Sequence, residues 1–269
     1  MKALFRYVRL WLSLAKFSLL GELAFRGNFL VKVCVELLWL VILLMFNFIL
    51  FRVTSRIAGW EEHQYLFFVG CYYAMGGVME ALFLENCNQF AELVRTGDLD
   101  FFLLKPVDEQ FLISCRSIDW SCAPNILLGG SVMLYALSQG GWQVSPAAVP
   151  LFFLLFACGA GLAYGFILLL TSASVWFMRN QSLYEVWWLF SSLMRHPREI
   201  FQGPVAYAVG LFFWFAVPIM LVTNVPASLM VRSLEPWAVG YTLGATALVL
   251  WVSRRFFRHA LQRYRSASS

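Results

Sequence analysis

Residues 95–107 read RTGDLDFFLLKPV and separate two stretches of the chain that are each long and apolar enough to cross a membrane. This short segment contains an arginine, two aspartates, a lysine, a glycine and a proline. In lipid, every backbone polar group needs a partner inside the protein, and a helix-breaking proline among charged side chains makes that costly. We therefore expect a short structured loop outside the bilayer, with transmembrane helices on either side.

The composition of the whole chain predicts an all-α polytopic membrane protein. Of the 269 residues, 61% are hydrophobic and 13% are charged, and the mean hydropathy is +0.71. Soluble domains carry about 25% charged residues. The longest polar stretch between apolar runs, residues 85–117, is too short to bury a core of its own. Any soluble catalysis must therefore come from a partner chain.

The basic residues are concentrated at the two ends of the chain. They are Lys2, Arg6, Arg9, Lys16 and Arg26 before the first apolar run, and Arg254, Arg255, Arg258, Arg263 and Arg265 after the last. Because of this distribution, the net charge of +5 does not indicate a nucleic-acid partner. By the positive-inside rule, both termini are predicted to be cytoplasmic and the number of crossings to be even.

Residues 1–27 are predicted to form an amphipathic helix in the plane of the membrane interface. Apolar side chains recur on one helical face at Leu4, Val8, Trp11, Leu12 and Ala15. A cleaved signal peptide is the alternative interpretation. Charges at Lys16, Glu22 and Arg26 speak against it, because a signal peptide needs an uninterrupted apolar core there.

We predict a membrane domain at residues 28–258 with six spans, followed by a basic cytoplasmic tail at 259–269. The spans lie at about 29–51, 63–84, 118–138, 148–178, 182–194 and 237–257. Pro124 is expected to kink the third span. Residues 85–117 form a cytoplasmic segment between the second and third spans.

The end of the chain leaves the identity of the fifth span open. Two crossings remain for three apolar stretches, so either 182–194 or 205–222 must not span. The favoured arrangement makes 182–194 the fifth span and residues 195–227 an outer-side re-entrant helical hairpin between spans 5 and 6. The reason is that prolines favour extended backbone just before them, with breaks expected at His196, Gly203, Val217 and Val225. Such backbone is tolerated at membrane depth only against protein or water.

Ionisable residues inside or near the predicted spans are costly in lipid and are usually paired or functional. Lys32 and Glu36 are four residues apart, so an ion pair within the helix is expected. Glu80 has no such neighbour. Its side chain is expected either to line a cavity between helices or to extend to the cytoplasmic interface.

Small and aromatic residues give further packing signals. Gly161 and Gly165 form a GxxxG pair, which permits close helix packing either within the subunit or against a second one. The tryptophans near predicted span ends are typical of an aromatic belt: Trp60, Trp142, Trp187, Trp188 and Trp237. The six cysteines form no CxxC pair and are expected to be free, buried thiols.

No motif for catalysis or metal binding is present in the sequence. The three histidines, His63, His196 and His259, fall in different parts of the predicted topology, and no HExxH, GxSxG or Walker-type loop occurs. We expect no catalytic residue, no metal site and no cofactor in this chain.

Two stretches of the sequence resemble motifs of a branch of the type-2 ABC exporter permeases. Residues 95–107 resemble the motif RTG-LD--LLKPV of that branch. Residues 196–204, HPREIFQGP, followed by Val217-Pro218 and Val225-Pro226-Ala227, resemble its YP-EIYPG and IP---V-YVPA segments. The departure is His196, where an aromatic residue is expected. With the predicted topology, the resemblance covers nearly the whole chain.

The resemblance implies a permease subunit of an ATP-binding-cassette exporter in the bacterial cytoplasmic (inner) membrane. It implies two separate ATP-binding subunits, which hold the ATP and Mg²⁺, and a second permease, homologous or identical. Residues 85–104 would couple the permease to the ATPase, with Gly97 ending one helix and Lys105-Pro106 starting the next element. The coupling residues implied are Glu92, Arg95, Gly97, Asp98, Asp100, Lys105 and Pro106. The re-entrant gate residues implied are Pro197, Arg198, Glu199, Pro204, Pro218 and Pro226.

Two other classes of function stay open on the sequence alone. One is an ATP-independent channel or secondary transporter, for which a filter-like sequence or an internal repeat is expected and neither is found. The other is a membrane scaffold or assembly subunit. The apolar, aromatic-rich spans favour an amphipathic or lipid-linked cargo, although such residues face lipid in any membrane protein.

Overall fold

The computed structural model describes residues 2–142, 144–177, 181–232 and 235–264, without the side chains of residues 2–4, 177 and 181–184. Regular structure in these residues is helical, apart from one isolated bridge between Ile57 and Trp60. The α-helices are α1 Lys2–Ala24, α2 Arg26–Val53, α3 Glu62–Met79, α4 Glu85–Thr96, α5 Leu99–Leu103, α6 Glu109–Cys115, α7 Ala123–Gly140, α8 Ala148–Phe177, α9 Gln181–Met194, α10 Pro204–Leu211, α11 Leu221–Val231 and α12 Pro236–Arg263.

Five continuous helical segments of the described residues are long and apolar enough to cross a membrane: Arg26–Val53, Glu62–Thr96, Trp120–Gly140, Ala148–Trp176 and Pro236–Arg263. A sixth candidate is the pair Pro204–Ala216 and Pro218–Val231, which is bent by 78°. The chain is thus an all-α polytopic membrane protein. At 14 residues, α9 is shorter than any of the five.

The second of these segments is one continuous helix that includes α3, a π turn at Glu80–Leu84, and α4. Its 35 residues correspond to about 52 Å of helix, roughly 20 Å more than the hydrocarbon core of a bilayer. The helix must therefore project well beyond the membrane. The predicted boundary between a span ending at residue 84 and a separate cytoplasmic segment is not a break in the helix.

Glycines set the closest helix contacts in the core. A Cβ atom on Gly129 of α7 would lie 2.5 Å from the backbone nitrogen of Ala74 in α3. Gly161 and Gly165 of α8 face Thr246 and Val249 of α12. The GxxxG pair therefore packs within the chain, one of the two arrangements that the sequence allowed.

The first two helices are the least buried. In α2 the buried side chains are Leu40 and Asn47, and most of the others are exposed, as lipid-facing residues are in a chain without its membrane. On the predicted apolar face of α1, Val8 and Leu12 are exposed. The neighbouring face packs against the rest of the chain. There Ser18 Oγ accepts a hydrogen bond from Ile118 N at 3.1 Å.

Three of the four breaks expected before prolines are present. The chain leaves α9 at Met194, Gly203 precedes α10 with φ of 89°, and Val217 separates the bent pair. The break expected at Val225 is wrong, because Pro226 lies inside α11.

The packing of α11 on α8 explains why Pro226 is tolerated. Proline lacks the N–H that would bond to the carbonyl four residues earlier, which is that of Val222. This carbonyl packs against Gly159 of α8, where a Cβ would lie 2.5 Å from the oxygen. The kink expected at Pro124 is also wrong: Pro124 is in the first turn of α7, where its missing N–H breaks no hydrogen bond.

The aromatic-belt interpretation is wrong for two tryptophans. Trp60 and Trp187 are 0% and 4% exposed, so they pack inside the protein. Trp188 and Trp237 are about half exposed, in agreement with lipid contact. The six cysteines are free, as predicted, but only Cys71 and Cys87 are buried; Cys115, Cys122 and Cys158 are half-buried, and Cys34 on α2 is exposed.

Candidate functional site

The coupling segment begins with a sharply ended helix. Gly97 takes φ of 82°, the left-handed conformation that closes α4 and that glycine adopts most readily. Thr96 Oγ1 bonds to the carbonyl of Glu92 at 3.0 Å and to Asp98 Oδ2 at 2.8 Å. The ending at Gly97 is as predicted, and it lets α5 begin at Leu99 in a new direction.

The segment is anchored on one face and free on the other. Phe90, Val94 and Leu99 are buried in one cluster with Val175 of α8 and Phe257 of α12. The opposite face carries the exposed side chains Glu92, Arg95, Asp98, Phe101 and Leu104. We call these five residues the coupling surface.

The coupling surface combines three charged side chains with two apolar ones that follow them in the chain. Arg95 and Glu92 form a two-point ion pair, with Arg95 Nε 2.9 Å from Glu92 Oε2. Phe101 and Leu104 are 67% and 81% exposed. The coupling surface thus exposes both charge and apolar area. Of the other predicted coupling residues, Asp100 is half-buried and Pro106 is exposed.

The turn after α5 leads to Asp108, which sequence reasoning missed. Lys105 Nζ lies 4.6 Å from the ring centre of Phe102 and does not start a helix. The next helix, α6, begins at Glu109, and Asp108 Oδ1 accepts a hydrogen bond from Phe111 N at 3.2 Å as its N-cap. The expectation that Lys105-Pro106 starts the next element is therefore wrong by a few residues.

Asp108 also joins the coupling segment to both ends of the chain. Arg254 of α12 donates to Asp108 Oδ2 at 2.5 Å, and Asp108 N donates to Tyr7 Oη of α1 at 3.0 Å. The hydrogen bond from Arg254 is the main cause that holds the pKa of the Asp108 carboxyl below its usual value. No sequence spacing relates these three positions, so only the fold could identify them.

At the other end of the bundle, the predicted gate residues contact the loop between α2 and α3. Glu199 accepts hydrogen bonds from Trp60 Nε1 at 3.0 Å and from Arg232 Nη1 at 3.3 Å. Arg232 lies over the Trp60 ring at 4.9 Å. Gln64, at the start of α3, donates to the carbonyl of Val231 at 3.2 Å. The segment before α10 and the end of α11 therefore lie beside the same loop.

A cavity of about 580 Å³ lies within this region. Arg198 lines it, with its guanidinium 4.6 Å from the centre of the Trp214 ring, and Arg198 N donates to Asn224 Oδ1 at 2.8 Å. Of the predicted gate prolines, Pro204 begins α10, Pro218 begins a 3₁₀ turn, and Pro197 precedes another. The fourth, Pro226, is inside α11.

The ion pair expected between Lys32 and Glu36 is wrong. Lys32 Nζ instead lies 3.2 Å from Asp119 Oδ2, because the 3₁₀ turn before α7 packs against α2. Glu36 Oε2 accepts a hydrogen bond from Asn125 Nδ2 at 2.8 Å. Pairing between elements distant in sequence thus replaces pairing within the helix.

Glu36 and Glu80 line one cavity of about 820 Å³ between α2, α3, α7 and α9. We call it the intramembrane cavity. One oxygen of each carboxylate and Cys122 Sγ lie within 4.8 Å of one another. Glu80 is the first residue of the π turn, a widening that frequently marks functional positions in helices. The carbonyl of Ala81 in that turn accepts a hydrogen bond from Asp119 N at 2.9 Å.

The fold and these three sites define a polytopic membrane protein that exposes a structured polar surface at one end. Residues 37–268 match the family model described as ABC-2 family transporter protein. The chain belongs to this family and is a membrane component of an ABC-type transporter. No curated protein and no solved structure matched the chain.

Proposed function

We propose that this chain is the permease of an exporter, forming the translocation path with a second permease and powered by two separate ATP-binding subunits. The coupling surface carries this proposal. It is exposed, mixed in charge and apolarity, and located where the helix Glu62–Thr96 has run roughly 20 Å past the thickness of the membrane core.

The anchoring of the coupling surface favours a mechanical role. Phe90 and Leu99 are 0% exposed and belong to the same buried cluster as Phe257 of α12. Because this cluster is closely packed, a displacement of the coupling surface also displaces the transmembrane helices. The hydrogen bond from Arg254 to Asp108 is a second connection between the coupling segment and α12. Binding of ATP by a partner can thereby shift the population between two packings of the spans.

We further propose that residues 195–227 form a re-entrant gate on the outer side and that α9 is the fifth span. In support, Glu199 contacts Trp60, while Val231 contacts Gln64, so the bent pair starts and ends near the loop between α2 and α3. The inner end of α8 packs with Phe257 at the opposite end of the bundle. In this proposal α9 is the helix that crosses between these two ends.

The remaining assignments follow from the family and the charge distribution. Both termini are proposed to lie in the cytoplasm of a bacterial cell with the chain in its inner membrane. ATP and Mg²⁺ are proposed to bind in the ATPase subunits. The second permease is proposed to be homologous or identical to this chain.

Purification of the chain from its native membrane in mild detergent tests the proposal. We expect an ATP-hydrolysing subunit to be recovered with it. The double variant Phe101→Ser/Leu104→Ser should lose most of that ATPase, whereas Val53→Ser should keep it, since Val53 is equally exposed (86%) but lies at the far end of α2. Absence of any ATPase from the wild-type preparation, or equal recovery with the double variant, would contradict the proposal.

A further inference from the structure

The intramembrane cavity has one acidic end and a long apolar, aromatic wall. Glu36 and Glu80 form the acidic end. The wall includes Trp39, Tyr73 and Trp188. Its volume of about 820 Å³ falls in the range of roughly 300–1,000 Å³ that holds drug-sized ligands. Trp39 is 61% exposed, so the cavity can be reached along the surface of α2 that faces lipid.

The acidic end lacks a counter-charge. The ion pairs formed by the described residues include neither Glu36 nor Glu80. The nearest lysine, Lys32, is already paired with Asp119. Two carboxylates this close repel each other in a low-dielectric site, and a cation bound between them offsets that repulsion.

Asn125 gives a second, independent sign of a missing ligand. Its side chain is 2% exposed and donates from Nδ2 to Glu36 Oε2 at 2.8 Å. Its Oδ1 has no hydrogen-bond partner among the described residues. A buried amide oxygen without a partner costs free energy unless a donor or a positively charged group lies against it.

Among the described lining residues, the basic side chain that forms no ion pair is Arg195, and it lies away from the acidic end. Arg195 lies over the ring of Tyr72 at 5.6 Å, and Tyr72 precedes Glu80 by two turns of α3, which is about 12 Å of helix. The cavity therefore has a negative inner end and a positive outer end. An elongated cation is held in one orientation by such a field.

We propose that the intramembrane cavity binds amphipathic organic cations, with the positive group at Glu36 and Glu80 and the apolar body along α2. Aromatic faces at Trp39, Tyr73 and Trp188 add attraction for the cation. An inorganic ion alone leaves most of the cavity and its apolar wall unused. The inference rests on the proposed transport function, because it names the class of substrate.

Binding of two probes of the same shape and opposite charge tests the inference. The purified chain in lipid nanodiscs, with EDTA present, is titrated with tetraphenylphosphonium and with tetraphenylborate. We expect the cation to bind at least about tenfold more tightly. Glu36→Gln and Glu80→Gln should each weaken cation binding by about tenfold, equivalent to about 1.4 kcal/mol. The control Glu62→Gln, an exposed carboxylate on the same helix, should bind as wild type.

A measurement on the native chain removes the risk that a variant misfolds. Cys122 lines the cavity, while Cys34 and Cys158 do not. Tetraphenylphosphonium should slow maleimide labelling of Cys122, resolved by peptide mass spectrometry, and leave the other two unchanged. Equal affinity for both probes, unchanged binding in both glutamine variants, or unprotected Cys122 would overturn the inference.

The binding assay needs no ATPase, so the two proposals fail separately. Recovery of an ATPase with no cation binding contradicts the substrate class alone. Cation binding without any recovered ATPase contradicts the proposed exporter alone.

Discussion

Arg254 and Asp108 form a two-point contact between the last helix and the cap of α6, with Arg254 Nη2 2.5 Å from Asp108 Oδ2 and Nη1 3.3 Å from Oδ1. The side chains of both residues are partly exposed, at 39% and 28%. Exposed pairs contribute little by themselves, at most about 1 kcal/mol. The ion pair between Arg254 and Asp108 also fixes the start of α6, because the same carboxylate is the N-cap of that helix.

Replacing Asp108 separates its two roles. Asp108→Ala should lower the free energy of unfolding by about 1–2 kcal/mol, because the cap and the ion pair are both lost. Asp108→Asn should cost less, since asparagine caps helices as well as aspartate. Thermal unfolding of the purified chain in detergent measures both. Equal melting temperatures for all three proteins would show that Asp108 does not hold the segment.

The pH dependence of this contact has a definite sign. Arg254 lowers the pKa of Asp108, so the contact stabilises the folded chain above the unfolded pKa of about 3.9 and is lost as the pH falls below it. The difference in melting temperature between wild type and Asp108→Asn should thus stay constant from pH 5.5 to 8. A difference that disappears within that range would contradict the assigned ionisation.

The contact between Gly159 and the carbonyl of Val222 predicts that position 159 does not accept a side chain larger than that of glycine without loss of stability. Gly159→Ala would place a Cβ 2.5 Å from that oxygen, so α8 and α11 must separate. We expect a loss of about 1–3 kcal/mol, measured by thermal unfolding.

Gly130→Ala is the matched control, because a Cβ there meets no atom within 4 Å and alanine favours a helix. It should leave stability unchanged or raise it by up to about 1 kcal/mol. If both variants melt alike, the close packing of α11 on α8 is not a constraint.

The proposed gate predicts which side of the membrane Gln202 faces. Gln202 is exposed and follows the Glu199 contact with Trp60. In a background without the native cysteines, Gln202→Cys should react with a membrane-impermeant thiol reagent in intact cells. Asp98→Cys, at the coupling surface, should react only after the cells are opened. Labelling of position 202 solely in opened cells would place this segment in the cytoplasm and make residues 205–222 the fifth span.

Local sequence chemistry was enough to predict some elements of the fold. The end of α4 at Gly97 follows from the need for a left-handed residue, which glycine supplies. The breaks before Pro204 and Pro218 follow from the same local rules. The break expected before Pro226 failed because α11 packs closely on α8, with the freed carbonyl of Val222 against Gly159, a residue of another helix.

The pairing of charges could not be predicted from spacing. Lys32 lies four residues from Glu36 but pairs with Asp119, which reaches it only through the packing of α2 on the turn before α7. The cavity at Glu36 and Glu80 likewise depends on the meeting of α2, α3, α7 and α9. Contacts of this kind are properties of tertiary packing, and no local pattern in the sequence encodes them.

Cysteine cross-linking from the coupling surface is the most direct test of the central claim, that this surface docks an ATP-binding subunit. The chain carrying Asp98→Cys, in a background without its native cysteines, is co-expressed with the ATPase that co-purifies with it and treated with a short thiol cross-linker. Ser55→Cys, exposed in the loop between α2 and α3, serves as the control. The account predicts an adduct from position 98 and none from position 55. An assembled complex that yields no adduct from position 98, or yields one from position 55, would contradict it.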